Sequence, residues 1–292
     1  MLTGAVSYAQ QDAQFTQYMY NTININPAYA GSRGAMSLFL MHRTQWVGLD
    51  GAPVTNTASL NTPINNSNLG VGLSVVNDRI GPTTENAISA DVSYTVQASE
   101  NYKLSFGIKG TANFFNLDRS KLNPENQNDP SLVEFNKFTP NIGAGVYLHS
   151  DKTYVGLSVP NLIQTNRYDD NDVAIFKEKI NFYLIAGHVF DFSESIKFKP
   201  ALLTKVVSGA PLQVDVSGNF MFFDKLVLGV AYRWDAAISA MAGFQVSDGL
   251  YIGYGYDHET TNLKNYNSGS HEIFLRYELF SNYNKITSPR FF

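Results

Sequence analysis

Between Pro211 and His258 the chain repeats one pattern four times. Leu212, Val214 and Val216 alternate with Gln213, Asp215 and Ser217, and Leu226, Leu228, Val230 and Tyr232 with Val227, Gly229, Ala231 and Arg233. Ile238, Ala240, Ala242, Phe244 and Val246 then alternate with Ser239, Met241, Gly243 and Gln245, and Leu250, Ile252, Tyr254 and Tyr256 with Tyr251, Gly253, Gly255 and Asp257. A period of two sends successive side chains to opposite faces of a sheet, so four strands are predicted, each apolar on one face and small or polar on the other. A soluble β-sandwich would alternate as well, with its apolar face turned to a core. The polar face here is rich in Gly and Ser and poor in Lys and Glu. That composition suits the crowded, wet lumen of a membrane barrel better than an open solvent face.

The same rhythm runs through the rest of the chain. Leu104, Phe106 and Ile108 alternate with Ser105, Gly107 and Lys109, and Ile142, Ala144, Val146 and Leu148 with Gly143, Gly145 and Tyr147. Strands are predicted over Ala35–Arg43, Val54–Asn61, Leu69–Asn77, Glu85–Gln97, Tyr102–Phe115, Phe138–Ser150, Thr153–Pro160, Lys179–Asp191, Ile196–Val207 and His271–Phe280. With the four above they make about fourteen, an even number as bacterial barrels have, at roughly 18 residues per strand and connection. The connections are unequal. Asn116 to Lys137, Asn161 to Glu178 and Asn262 to Ser270 are long and polar, whereas Asp151-Lys152, Phe192–Ser195, Phe223–Lys225 and Ser247–Gly249 are tight. Long loops on one side and short turns on the other are what an outer-membrane barrel shows. The expected fold is therefore all-β, a single transmembrane outer-membrane β-barrel over residues 35–292.

Two stretches precede it. Residues 1–9 read as the remnant of a signal peptide, with Leu2, Ala5 and Val6 apolar and Ser7-Tyr8-Ala9 offering small residues before Gln10; a frayed soluble N-terminus is the alternative. Residues 10–34 break the strand pattern. Phe15, Tyr18 and Met19 are spaced for one short helical face, and Asn26-Pro27 and Gly31-Ser32 each force a turn. This segment is expected to tuck against or into the lumen as a plug.

Composition moves the balance further toward the membrane. Charged residues are 16% and aromatics 13%, against roughly 25% charged in a typical soluble domain. A lipid-facing band between aromatic girdles accounts for both. Such a barrel would meet outer-membrane lipid and lipopolysaccharide with its outer face. The net charge of −4 argues against a nucleic-acid partner. With no Cys, disulfides and thiolate metal sites are excluded. No apolar run is long enough for a transmembrane helix.

Candidate chemistry is sparse. The five His, at 42, 149, 188, 258 and 271, stand in no metal-ligand spacing. Asp169-Asp170-Asn171-Asp172 has oxygen ligands for calcium but lacks the Gly and distal Glu of an EF-hand loop, so a solvated loop is the reading. A Ser paired with His149 or His258 would be needed for nucleophilic catalysis, and no spacing singles one out. No enzyme activity and no cofactor are expected. More distinctive is the stretch from His42 to Pro53, a Trp-bearing connection between the first two strands in which Gly48 and Gly51 permit positive φ. It reads either as a hairpin with Trp46 as an interface anchor or as an exposed aromatic docking point.

Gln14-Phe15-Thr16-Gln17-Tyr18-Met19, Asn26-Pro27-Ala28-Tyr29-Ala30-Gly31, Arg43-Thr44-Gln45-Trp46 with Gly48 and Gly51-Ala52-Pro53, and the ending His271-Glu272-Ile273 with Tyr277 resemble the PorP/SprF family. These are outer-membrane proteins of the type IX secretion and gliding system of Bacteroidetes. The resemblance covers the chain from about residue 11 to its C-terminal end, and Thr22-Ile23-Asn24-Ile25 departs from it. It implies a non-enzymatic barrel that anchors a secreted cargo protein, such as an adhesin, at the cell surface through the cargo's type IX C-terminal domain. It equally admits a structural component of the secretion machinery beside periplasmic ring subunits. From the residues alone, a passive channel for a small solute is the rival from another class.

Overall fold

The computed structural model describes residue 16 and residues 18–121, 135–164 and 179–279. The signal-peptide reading, Phe15, Gln17, the Asp169–Asp172 run and Phe280 lie outside the described residues.

Strands β1 (Met36–Thr44), β2 (Val54–Pro63), β3 (Leu69–Ile80), β4 (Thr83–Gln97), β5 (Lys103–Leu117), β6 (Phe135–His149) and β7 (Thr153–Val159) are followed by β8 (Asn181–His188) and β9 (Phe190–Asp191). Then come β10 (Ile196–Val207), β11 (Gln213–Phe222), β12 (Leu226–Arg233), β13 (Ala237–Gln245), β14 (Leu250–Glu259) and β15 (Ser270–Leu279). Each pairs antiparallel with its chain neighbours, β1 pairs with β15, and the circle is complete. β8 and β9 both pair with β10 and are two pieces of one wall strand, so the closed barrel has 14 strands. The predicted strand Lys179–Asp191 is thus interrupted at Val189, whose N–H bonds the Lys152 carbonyl of the neighbouring turn at 2.9 Å. β5 and β6 outrun their predicted ends because Asn116 and Asn136 still pair in register and Asn116 donates its side-chain amide to Asn136. Among the described residues no helix is long and apolar enough to cross a membrane; the crossing elements are strands.

The barrel is inside out relative to a water-soluble protein. Ile108 is 66% exposed and Val230 64%, while Thr55, Ser105, Asn219, Lys109 and Glu272 are buried. The exposed apolar residues form the lipid-facing band, and closure leaves no sheet edge with unpaired backbone groups in the bilayer. Because strands alternate in direction, the connections after β1, β3, β5, β7, β10, β12 and β14 share one end. All three long loops predicted from the sequence belong to that set, and the tight turns belong to the other. By the usual asymmetry of such barrels the long-loop end is extracellular.

Ahead of β1 lie three single 3₁₀ turns, η1 (Tyr18–Tyr20), η2 (Thr22–Asn24) and η3 (Pro27–Tyr29). Their residues are nearly all buried, and the apolar cluster they form with Phe39, Tyr147, Tyr251 and Phe274 is made with inward-facing wall side chains. The core of this molecule therefore centres on residues 18–31 and the wall strands they touch.

Candidate functional site

The seating of residues 18–31 is specified atom by atom. Asn26 stands at the N-cap of η3, where its side-chain oxygen accepts from the Ala28 N–H at 3.0 Å and Pro27 fills the first helical position. The other end of the same amide donates to the Val146 carbonyl at 3.1 Å. Short turns leave carbonyls without partners, and the wall supplies donors. Lys109 Nζ reaches the Ile23 and Asn24 carbonyls at 3.0 and 3.2 Å, Ser158 Oγ the Ile25 carbonyl at 2.6 Å, and Ser93 Oγ the Ala30 carbonyl at 2.7 Å. Lys109 is balanced by Asp91 at 3.4 Å on the adjacent strand.

Wall glycines make the approach possible. A Cβ on Gly107 would strike the backbone of Pro27 and Ala28, and one on Gly145 the Asn26 side chain. Gly31 turns the chain toward β1 with φ +70, where a Cβ would also come within 2.9 Å of Gly70 Cα. On the opposite wall Tyr20 shares a 2.7 Å hydrogen bond with Tyr251 and packs its ring 4.4 Å from Phe274. Arg33, just before β1, is ion-paired to Glu278. Burial works to lower the Arg33 pKa, but the Glu278 carboxylate and then Tyr29 outweigh it and raise the value, keeping the guanidinium charged.

Nearer the extracellular end a second cluster straddles the β1–β15 pairing. Arg43 and Glu272 are register partners. Arg43 places Nη2 2.7 Å from Asp257 and Nη1 3.3 Å from Glu272. Thr16 joins it, its N–H donating to Glu272 at 3.0 Å and its hydroxyl to Asp257 at 2.6 Å. Arg233 pairs with Asp215 at 2.9 Å. Above it the β1–β2 connection folds over the barrel rim. The Trp46 indole N–H donates to Glu259 at 2.9 Å, its backbone N–H to Ser270 Oγ at 3.2 Å, and Val47 donates its N–H to the Gly269 carbonyl while accepting from the Ser268 N–H. Pro53 closes the loop by accepting from the Gln45 N–H. The loop borders a cleft of about 390 Å³ lined by Gln45, Trp46, Gly48 and Gly51 together with Arg79 and Lys121.

The residues singled out in the sequence thus fall into three places. Tyr18, Met19, Asn26, Pro27, Tyr29 and Gly31 belong to the inner segment; Arg43 and Glu272 meet inside the wall; Gln45, Trp46, Gly48, Gly51 and Pro53 form the extracellular loop. His271 joins none of them: it lies on the outer face, 2.6 Å from the Tyr254 hydroxyl. Of the other His, His42 and His258 are on the outer face, His149 stacks inward on Tyr147, and His188 bonds Thr153 at 2.7 Å. Asp257, Lys109, Asp91, Ser93 and Gly107 were not foreseen as a site. Their signal was a charge, a hydroxyl or a glycine at an inward position of an otherwise unremarkable strand.

In wider comparison the sequence matches no curated protein. Among solved structures the fold is similar to the KdgM porin (TM-score 0.41, 10% identity, 84% of this chain and 99% of that one). It is similar also to a Pseudomonas aeruginosa FadL homologue (TM-score 0.46, 14% identity, 87% and 93%) and to the CymD monoaromatic hydrocarbon channel (TM-score 0.48, 13% identity, 91% and 93%). The profile of the family described as "Type IX secretion system membrane protein PorP/SprF" matches residues 7–277. The chain belongs to the PorP/SprF family of type IX secretion membrane proteins, and it is an outer-membrane β-barrel.

Proposed function

We propose that this barrel is a non-enzymatic surface anchor, closed in its lumen by residues 18–31, that holds an exported cargo protein at its extracellular end through the cargo's C-terminal domain. The observation that supports it most is the division of labour among the motif residues. One set is buried against inward-facing wall side chains, and another builds the rim loop around Trp46 at the long-loop end. Nothing in this reading needs a reacting group or a cofactor. Transient contact with other type IX components accompanies delivery of the cargo.

The test has two arms. Full-length barrel in planar bilayers is expected to pass no steady ion current, and deletion of residues 18–31 to introduce it. Extraction from native membranes in mild detergent, with a tag on the C-terminus, is expected to retain a large secreted protein, and Trp46→Ala to reduce that retention at least about tenfold, the weight of one buried aromatic anchor. Steady current through the intact protein would favour a solute channel. Retention of periplasmic ring subunits alone would favour a structural role in the secretion machinery.

A further inference from the structure

Among the described residues, every Asp, Glu, Lys and Arg in a wall strand faces the lumen, with one exception. Arg79 is on the outer face of β3, where Leu69, Val71, Leu73 and Val75 give way to Asn77 and then Arg79 toward the extracellular end. No carboxylate among the described residues pairs with it. At the edge of the apolar band a guanidinium meets the headgroup layer, where a phosphate offers it the forked, charged partner that acyl chains cannot.

The surface beneath it is equally unusual for a lipid-facing one. His42, Asn56, Asn77 and Asn86 are mutual register partners across β1–β4, all on the outer face. His42 Nδ1 is 2.8 Å from Asn56 Oδ1, Asn56 Nδ2 donates to Asn77 Oδ1 at 3.4 Å, and Asn77 Nδ2 to Asn86 Oδ1 at 2.7 Å. The Asn56 and Asn77 amides point their donors the same way, toward Asn86, so the row is bonded along its length and still presents a polar edge. Directly above, Arg79 and Lys121 contribute to the rim of the 390 Å³ cleft, together with Thr44 and Asp50. Lys121 is partly engaged by Asp118 at 3.1 Å, which leaves Arg79 as the cleft's uncommitted cation.

We propose that this corner of the outer face, Arg79 over the His42–Asn86 row, binds the phosphorylated sugar headgroup of an outer-leaflet glycolipid. The guanidinium takes the phosphate in a forked, charge-assisted pair, the amide row faces sugar hydroxyls, and the apolar run of β3 lies along the acyl chains. The level of Arg79, at the upper limit of the apolar band, is where a lipid phosphate sits and a soluble partner's acidic segment would have to descend to reach.

Native mass spectrometry of the full-length barrel tests this by titration with bis-phosphorylated lipid A and with the same lipid stripped of phosphate. The phosphorylated form is expected to be retained about tenfold more tightly. Arg79→Gln is expected to erase the difference, whereas Lys152→Gln, which removes a cation from the opposite end, leaves it intact. Heat-dependent gel migration confirms that both variants are folded barrels. Equal retention of the two lipids, or an undiminished preference in Arg79→Gln, would overturn the proposal. So would displacement of the lipid by inorganic phosphate at equal concentration or by an acidic peptide, which would assign the cleft to a soluble anion or a protein instead.

Discussion

At the scale of single residues, Arg43 carries the most consequence. It is 1% exposed and faces Asp257 and Glu272. Breaking a buried pair by removing one partner leaves uncompensated charge, so Arg43→Ala is expected to destabilise the barrel by about 3–5 kcal/mol, read as a lower urea midpoint. Adding Asp257→Asn to that variant is expected to recover part of the loss, because it removes one of the stranded carboxylates. Asn26→Ala gives up both the cap and the wall bond and is expected to cost about 1–2 kcal/mol, with faster amide exchange over Pro27 to Ala30 as the direct readout. Little of this was visible residue by residue. Alternation tells which face Lys109 and Asp257 occupy but not what lies opposite them. Arg43 and Glu272 stood out only through family resemblance, and Asn26 otherwise only as the start of a turn.

At the scale of elements, the strand pattern was open to reading, and of the inner segment only its break from that pattern and its turns at Asn26-Pro27 and Gly31. Period two is a local signal, and it located the strands to within about three residues at their ends, the usual uncertainty at element boundaries. β5 and β6 ran long because the Asn116–Asn136 pair carries the ladder on to Leu117 and Phe135. Three one-turn 3₁₀ pieces have no periodicity to detect, and their conformation is set by wall donors far away in sequence. The inward glycines read as small lumen positions; the reason for their smallness is the chain that lies on them. Gly107→Val is therefore expected to lift η3 without unfolding the wall. Since the chain has no native Cys, a single Ala28→Cys gives a clean probe. Its maleimide labelling is expected to be slow in the native barrel and at least about tenfold faster with Gly107→Val, following the local opening equilibrium.

At the scale of the whole molecule, a barrel with polar contents must reconcile a filled interior with closure of its wall. Thr16 touches Glu272 and Asp257, and Arg43 bonds a residue 229 positions away, so these contacts form only when β15 reaches β1. Pairing of the first and last strands is the longest-range step this topology contains, and such steps come late. Docking of Thr16 and shutting of the wall are thus one event, whereas residues 18–31 bond mainly to β4–β7 and need only that part of the sheet. A half-assembled sheet has nowhere to hold Thr16. Thr16 bound to Asp257 and Glu272 is a mark that the wall has closed, and any factor recognising the ordered rim at Trp46, braced on Glu259 and Ser270 across the same junction, would by that contact alone distinguish completed barrels from those still being built.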